Sequence, residues 1–176
     1  YYGRFVINTY KVTVNGAENA TVTAKLKGTD TDVNLDAVPC GSEITITVTA
    51  NATYKVTDIK VDGASKTSPF DLTVTDNVTV EVTTAKIRYN FSIHYLNTSM
   101  GNWTSIGSQY DTGEVFTLDV GPAHSVSDRV PNGYRIVGFY TTATYNDGTE
   151  VTFPLTLNSN LELWTKYEAI TYKITL

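Results

Sequence analysis

The residues of this chain that could perform chemistry are few and scattered. The sequence holds two histidines, His94 and His124, and one cysteine, Cys40. Ser125 and Asp128 follow His124, but a catalytic triad needs a nucleophile, a base and an orienting carboxylate in one geometry. No nucleophile-elbow motif accompanies them, and His94 alternates with apolar residues, which predicts that it faces solvent on a strand. The sequence therefore predicts no catalytic residue, no cofactor and no enzyme.

An acidic segment is the candidate for a metal ion. Its oxygen donors alternate along an extended stretch and would share one face: Asp30, Asp32, Asn34 and Asp36. An EF-hand loop needs Gly at position six and Glu at position twelve, where this chain has Leu35 and Gly41. A shallow cation site is one interpretation. The favoured one is a solvated edge that blocks aggregation between sheets, so no metal site is predicted.

A single cysteine excludes a disulfide within one chain. Secreted eukaryotic arrays of small domains are normally disulfide-bonded, so this count favours a bacterial surface protein. Cys40 is predicted to be a buried structural thiol, because free cysteines are often buried and no electropositive neighbourhood is apparent that would make it reactive.

Aromatic residues are the candidates for ligand binding. Seven of them could form a sugar-stacking surface: Trp103, Tyr110, Tyr134, Phe139, Tyr140, Tyr145 and Trp164. In so small a domain most of these rings should instead fill the core. Tyr140 and Tyr145 flank an apparently exposed hairpin, so this pair is predicted as the ligand platform.

Composition predicts the type of secondary structure that carries these residues. Thr, Val and Tyr are abundant and fit pleated, half-buried surfaces, which predicts an all-β or β-rich α+β fold. The net charge is −5 and the basic residues are dispersed, so no nucleic-acid partner is expected. No apolar run reaches 18 residues, which predicts no membrane insertion.

One short phrase occurs three times. It is an aromatic residue followed by period-2 alternation, at Tyr10–Val14, Tyr89–Ile93 and Tyr172–Leu176. The copies lie roughly 80 residues apart, which indicates serial modules. The predicted division is the end of a preceding repeat (1–9), a first module (10–85), a second module (86–169) and the first strand of a following repeat (170–176).

Alternation and turn residues predict the strands within each module. In the first module they are Tyr10–Val14, Ala20–Leu26, Glu43–Ala50, Tyr54–Val61, Phe70–Val74 and Val78–Val82. In the second they are Tyr89–Tyr95, Trp103–Ile106, Glu114–Leu118, Tyr134–Tyr140, Glu150–Phe153 and Leu161–Tyr167. A helical turn is expected only around Ala123–Arg129. The links Thr84–Arg88 and Glu168–Thr171 lack a flexible Gly/Ser run, which predicts short, stiff connections.

Four blocks of the second module carry a resemblance to a known family: Tyr89–Tyr95, Tyr110–Leu118, Gly133–Thr141 and Asn160–Tyr167. This pattern resembles the internalin-type B-repeat, found in tandem on bacterial surface proteins. Ile136 and Phe139 stand where the family usually has Phe and Trp, and the closing Trp164-Thr-Lys-Tyr167 stands where it has Tyr-Ala-Lys-Trp. The resemblance implies a compact β-grasp sheet that acts as a spacer or binding unit, without naming a ligand.

The first module is similar to a more divergent bacterial repeat of the same kind. Its first strand ends near Asn15-Gly16, and the blocks Gly41–Val48 and Tyr54–Val61 follow. Asp62-Gly63 then supplies a turn, and Asn77–Val82 closes the module. The expected architecture is thus two tandem small modules of β-grasp-like or β-sandwich-like form.

The function expected from these features is a non-enzymatic structural or adhesive segment of a bacterial cell-surface or secreted protein, serving as a stalk, spacer or fibre module. Its location would be extracellular. Expected partners are neighbouring repeats, other copies head-to-tail, and a host protein or glycan. The alternatives are a phage or virion fibre or decoration module, and a carbohydrate-binding module of a secreted enzyme.

The two ends of the chain add a further expectation. One segment reads as a last strand, Arg4, Phe5, Val6 and Ile7, and the other as a first strand, Tyr172, Lys173, Ile174, Thr175 and Leu176. Unpaired strands are templates for pairing with another chain. We expect them to pair between molecules, head-to-tail.

Overall fold

The computed structural model of this protein describes residues 2–97, 101–118 and 121–174. Strand accounts for 54% of the structure and helix for 4%, which confirms the all-β expectation. The chain divides into two compact units, Tyr1–Ile87 (unit 1) and Arg88–Leu176 (unit 2). Whether these units are the tandem modules expected from the repeated phrase stays a prediction.

Unit 1 is built from short and medium strands. In chain order they are β1 (Thr9–Tyr10), β2 (Val12–Asn15), β3 (Ala20–Leu26), β4 (Val38–Pro39), β5 (Ser42–Ala50), β6 (Tyr54–Val61), β7 (Ala64–Ser65), β8 (Phe70–Val74) and β9 (Val78–Lys86). Three sheets result, with strand orders β2-β9-β6-β7, β3-β5-β8 and β1-β4.

The core of unit 1 draws on both larger sheets. In β5 the apolar side chains of Ile44, Ile46 and Val48 are buried, while Thr45 and Thr47 occupy the opposite face. The period-2 pattern of the sequence therefore corresponds to a strand with one buried face. Val74, Val80 and other valines of β8 and β9 complete the same buried cluster.

Unit 2 adds a helix to its strands. Its elements are β10 (Arg88–Asn97), β11 (Asn102–Asp111), β12 (Val115–Phe116), α1 (Pro122–Ser127), β13 (Tyr134–Tyr140), β14 (Glu150–Val151), β15 (Leu155–Thr156) and β16 (Leu161–Ala169). Helix α1 forms where the sequence allowed a helical turn. A single residue, Ile87, separates β9 from β10.

A five-stranded sheet with the order β11-β10-β16-β13-β14 forms the body of unit 2. Helix α1 packs against β10 and β11, and its Ala123 and Val126 are buried with Phe91, Ile93 and Leu163. The first and last long strands, β10 and β16, lie side by side at the centre and run parallel. Whether this sheet is of the β-grasp type implied by the resemblance stays a prediction.

Each unit places its own copy of the repeated phrase beside its last strand, and the register is the same in both. In unit 1, β2 runs parallel to β9 with Val12 opposite Val78. In unit 2, β10 runs parallel to β16 with Phe91 opposite Leu161. Val12 and Phe91, each two residues after the tyrosine that opens the phrase, therefore occupy equivalent positions in the two units.

An asparagine side chain closes this parallel pair in each unit. The Oδ1 atom of Asn77 accepts the backbone N–H of Lys11 at 2.9 Å, and the Oδ1 atom of Asn160 accepts that of Asn90 at 2.9 Å. Each asparagine immediately precedes the last strand. Each also precedes the next phrase-opening tyrosine by 12 residues, since Tyr89 follows Asn77 and Tyr172 follows Asn160.

The neighbour on the other side of the last strand is also equivalent. Strand β6 pairs antiparallel with β9, and β13 pairs antiparallel with β16. Both neighbours begin with tyrosine, Tyr54 and Tyr134, and both ladders contain an irregularity at the same place, across residues 56–58 and 136–138. The two units thus share a three-stranded centre, including its β-bulge.

The units differ in what flanks that centre. In unit 1, β3 leaves the central sheet and pairs with β5, which produces the second sheet. In unit 2, β11 stays beside β10 along a ten-pair ladder, and α1 covers the sheet. Unit 1 is consequently built mainly from two sheets, whereas unit 2 has one five-stranded sheet with a helix and a separate two-stranded β12–β15 pair.

We predict that the asparagine bond contributes equally in both halves. Asn160→Ala should lower the free energy of unfolding of unit 2 by about 1 kcal/mol, because the Asn90 N–H loses its acceptor. Asn77→Ala should do the same to unit 1. Asn160→Asp, which keeps an acceptor oxygen, is the matched control. Urea unfolding measures the change, and equal losses for the Ala and Asp variants would contradict the role of this bond.

Candidate functional site

The candidate site lies on one face of the unit 2 sheet. Along β16 the side chains of Leu163 and Thr165 are buried, so alternation directs their neighbours to the opposite face, away from α1. We call this the open face. By register it carries Ser92, His94, Tyr140, Glu150, Glu162, Trp164 and Lys166.

His94 is held on this face by two residues of β16. Its ring stacks on Trp164, with centroids 4.4 Å apart and planes 8° from parallel. Its Nε2 atom lies 2.5 Å from Oε1 of Glu162. Its side chain is only 23% exposed. His94 lies on the face away from the core, as expected, but the parallel strand beside it supplies a ring and a carboxylate that cover most of its side chain.

A histidine oriented by a carboxylate is half of a catalytic arrangement. Glu162 fixes one ring nitrogen and Trp164 covers one face of the ring. Catalysis would also need a nucleophile hydrogen-bonded to the other ring nitrogen. In the described part of the chain, His94 makes no hydrogen bond with a serine, threonine or cysteine side chain. The geometry fits a structural contact.

The predicted ligand platform is also on this face. Tyr140 and Tyr145 lie 5.4 Å apart, and their planes meet at 75°. The Nζ atom of Lys166 lies 5.4 Å from the Tyr140 centroid and 5.8 Å from that of Tyr145. The hydroxyl of Tyr145 donates to the backbone oxygen of Thr165 at 3.2 Å. The two rings are thus brought together, edge to face, around an ammonium group; their role as a platform stays a prediction.

Gly138 makes room for this cluster. A Cβ atom at this position would lie 2.9 Å from Oε1 of Glu150 and 2.9 Å from a ring atom of Tyr140. Both distances are too short for a real contact, so any side chain here would displace Glu150 or Tyr140. The glycine therefore lets charged and aromatic groups lie directly over β13.

Burial perturbs three tyrosines of unit 2. It raises the pKa of Tyr110, which also faces the charge of Glu114, and it raises the pKa of Tyr145. It raises the pKa of Tyr167 as well, although the nearby Leu96 backbone opposes this. The hydroxyls of Tyr167 and Thr165 are buried and close to each other, but neither completes a hydrogen bond of normal geometry.

The second histidine lies on α1 and forms no triad. Its Nε2 atom is 3.6 Å from Oδ2 of Asp128, one helical turn later, and both side chains are more than half exposed. Ser125 lies between them in sequence, and its backbone N–H donates to Gly121. His124 and Asp128 are a surface pair.

The acidic segment lies along the outer side of β3 and is engaged by lysines. Lys25 Nζ lies 2.7 Å from Asp30 and 3.9 Å from Asp32, and Lys11 Nζ lies 2.8 Å from Asp36. The hydrogen bond with Lys25 lowers the pKa of Asp30 and raises that of the lysine. In residues 2–97, 101–118 and 121–174, no three His, Cys, Asp or Glu side chains gather as a metal site would require.

Cys40 corrects another expectation. Its side chain is exposed, not buried. It stands between β4 and β5, where Val38 is the residue that points into the core and Gly41 makes the turn. Its backbone N–H donates to the oxygen of Asn8 at 2.8 Å.

Both end segments predicted to pair between chains are exposed and lie outside any strand. Phe5, Val6 and Ile7 are 98%, 79% and 69% exposed, and Tyr172 and Ile174 are each 83% exposed. Arg4 and Lys173 are exposed as well, while Thr175 and Leu176 lie outside the described residues. Their pairing between molecules stays a prediction.

Comparison with protein-family models, curated proteins and solved structures finds no match to this chain. The resemblance to the B-repeat therefore stays a prediction. In the described residues, no helix has the length and apolar character needed to cross a bilayer.

Sequence reasoning missed the His94–Glu162–Trp164 contact. Glu162 and Trp164 alternate with buried residues along β16, and Ser92 and His94 do so along β10. Each strand by itself therefore shows one face directed away from the core. The missing step was the parallel pairing of these strands, 68 residues apart. The resemblance to a β-grasp module implies that its first and last strands lie side by side, but it does not give the register that brings His94 to Glu162 and Trp164.

The raised tyrosine pKa values predict a loss of stability at alkaline pH. In the folded chain the phenolates are disfavoured, so the unfolded chain releases these protons first as the pH rises above about 10. Unit 2 should therefore lose stability above that pH. The measurement is the urea midpoint against pH, for the parent and for Tyr110→Phe/Tyr145→Phe/Tyr167→Phe. We expect a shallower decline in the triple variant; equal slopes would contradict the role of burial.

Proposed function

We propose that this chain is a non-enzymatic structural segment of a bacterial cell-surface or secreted protein, serving as a stalk, spacer or fibre module. The observation that carries this proposal is the parallel pairing of the first and last long strands in both units. The shared register, the shared asparagine bond and the 12-residue spacing support a chain made of repeating units. Such a chain belongs in an array.

Parallel pairing suits a unit that bears load. The chain enters unit 2 at the start of β10 and leaves it at the end of β16, which are opposite ends of one parallel pair. Tension applied through the chain pulls these strands in opposite directions along their length. The evenly spaced hydrogen bonds between them are then loaded at the same time instead of one after another. The same holds for β2 and β9 in unit 1.

An extracellular location follows from this proposal, with neighbouring repeats as the first partners and a host protein or glycan as a further one. A virion fibre or decoration module remains the alternative, since it would carry the same load. Threonines on the outer face of β5, such as Thr45, Thr47 and Thr49, give such a module a polar surface at low net charge.

Single-molecule pulling in two directions tests the load-bearing role. In a Cys40→Ser background, handles at Arg88→Cys and Ala169→Cys shear the β10–β16 pair, whereas handles at Arg88→Cys and Asn158→Cys peel it open from one end. We expect a clearly higher unfolding force in shear, because the bonds share the load instead of breaking in turn. Asn160→Ala should raise the unfolding rate in shear by up to about fivefold.

Equal unfolding forces in the two directions would overturn this mechanical role. The two handle pairs share Arg88 and differ only in the second attachment point. Any effect of the first substitution is therefore common to both. Asn160→Asp, which keeps the acceptor oxygen, serves as the control for the asparagine variant.

Carbohydrate binding is the second candidate, favoured by the cluster of Tyr140, Tyr145 and Lys166 beside the His94–Trp164 stack. A tyrosine ring presents a flat apolar surface with a polar hydroxyl, which suits contact with a sugar ring. As a module of a secreted enzyme, the chain would then bind the polymer its enzyme acts on.

A glycan array tests this second role. If the cluster binds sugar, Tyr140→Ala should abolish the signal, while Tyr134→Ala on the same strand should leave it intact. Tyr134 is 44% exposed and provides a matched loss of an aromatic ring. Absence of binding by the parent chain to any glycan, or equal losses in both variants, would count against a carbohydrate-binding module.

A further inference from the structure

The outer strand of the unit 2 sheet is long, and no further strand of the described residues pairs with it. Strand β11 lies at the end of the order β11-β10-β16-β13-β14 and pairs with β10 over ten residues without a register shift. From Asn102 to Tyr110 it contains no charged residue and no proline. Sheet edges in soluble proteins are usually blunted by charge, proline, bulges or short length. In the described structure, the Asn102–Tyr110 part of β11 has none of these.

The other edges of the larger described sheets are blunted. Strands β7 and β14 have two residues each, and β2 has four. The outer side of β3 is occupied, because Leu26 N–H donates to Thr31 and Val33 N–H donates to Ala24. Strand β8 carries Asp71, which pairs with Lys27 at 3.3 Å. Strand β11 is thus the exception.

A cavity lies beside the middle of this edge. It has a volume of about 340 Å³ and separates β11 from the start of α1. Its walls include Ile106, Gly107 and Tyr110 of β11, and Pro122 and His124 of the helix. An added strand gains affinity from backbone hydrogen bonds and specificity from pockets for alternate side chains. The edge and the cavity together offer both.

We propose that β11 pairs antiparallel with β11 of a second copy of this chain, about a two-fold axis, so that two five-stranded sheets become one. This inference does not depend on the stalk role. A second copy of the chain is the proposed partner, because Asn102–Tyr110 is uncharged and pairing this edge with itself brings no like charges together. Two-fold dimers are also the commonest closed assemblies.

The uncharged stretch defines the register. Centring the two-fold axis on Ile106 is the arrangement that pairs all of Asn102–Tyr110 with itself and leaves Asp111 outside. It sets Ser105 opposite Gly107 of the other copy, where no side chain competes for space. It sets Trp103, which is 45% exposed, opposite Gln109. The two Ile106 side chains then meet beside the cavity.

The expected dimer is weak and concentration-dependent. One pair of ten-residue strands buries less than the roughly 1,600 Å² of a standard interface. Each copy also carries a net charge of −5, so the copies repel at long range. Added salt should screen this repulsion and strengthen the dimer. A charged pair at the interface itself would show the opposite trend.

Analytical ultracentrifugation of the full chain over a concentration series is the first test. We expect a monomer–dimer equilibrium in the parent. Ser105→Lys should lower the association constant of the dimer roughly tenfold or more, because it brings two ammonium groups close together. Thr73→Lys is the matched control, because it adds the same charge at the exposed edge of β8. A parent that stays monomeric throughout overturns the proposal.

A charge swap identifies the occupant. Ser105→Glu should also be monomeric by itself, and mixing it with Ser105→Lys should restore a dimer. Deleting residues 2–8 should leave the parent dimer intact. If the deletion abolishes the dimer and the mixture stays monomeric, the edge instead binds the exposed 2–8 segment of another copy, and the proposal is wrong. It is equally wrong if Ser105→Lys dimerises as well as Thr73→Lys.

Discussion

The parallel pairing of the first and last long strands is the constraint on which each half of this protein depends. Two parallel strands cannot be joined by a tight turn, so everything between them must form a crossover. In unit 1 the crossover builds a second sheet, and in unit 2 it supplies the hairpin partner β11 and helix α1. The pair itself is closed by one side-chain bond, from Asn77 or Asn160. That bond satisfies a backbone N–H at the point where the ladder begins.

Keeping this centre constant leaves the flanks free to differ. The same register, bulge and tyrosine start support a two-sheet arrangement in one half and a helix-covered sheet in the other. In unit 2 the face of the long sheet opposite α1 carries His94, Trp164, Tyr140 and Lys166, whereas the outer face of β5 in unit 1 carries threonines and ion pairs.

Much of the fold could be predicted from local pattern, and much of the candidate site could not. Strands β3, β6, β8 and β13 have the predicted bounds because alternation and turn residues are local signals. The surroundings of His94 depend on a strand nearly 70 residues away, which alternation cannot specify. Cys40 was predicted to be buried on the basis of residue type alone, yet a turn at Gly41 keeps it at the surface. For His94 the missing information was the pairing between distant strands, and for Cys40 it was the direction of the backbone at the turn.

The two parallel pairs are equal in extent. β2 meets β9 over four residue pairs, and β10 meets β16 over four. In a series of linked elements, the one that yields first limits the whole. With the same number of paired residues and the same closing asparagine, neither half is an evident point of failure. A string of such elements would stretch as a uniform material, and its extensibility would depend on how many repeats it contains.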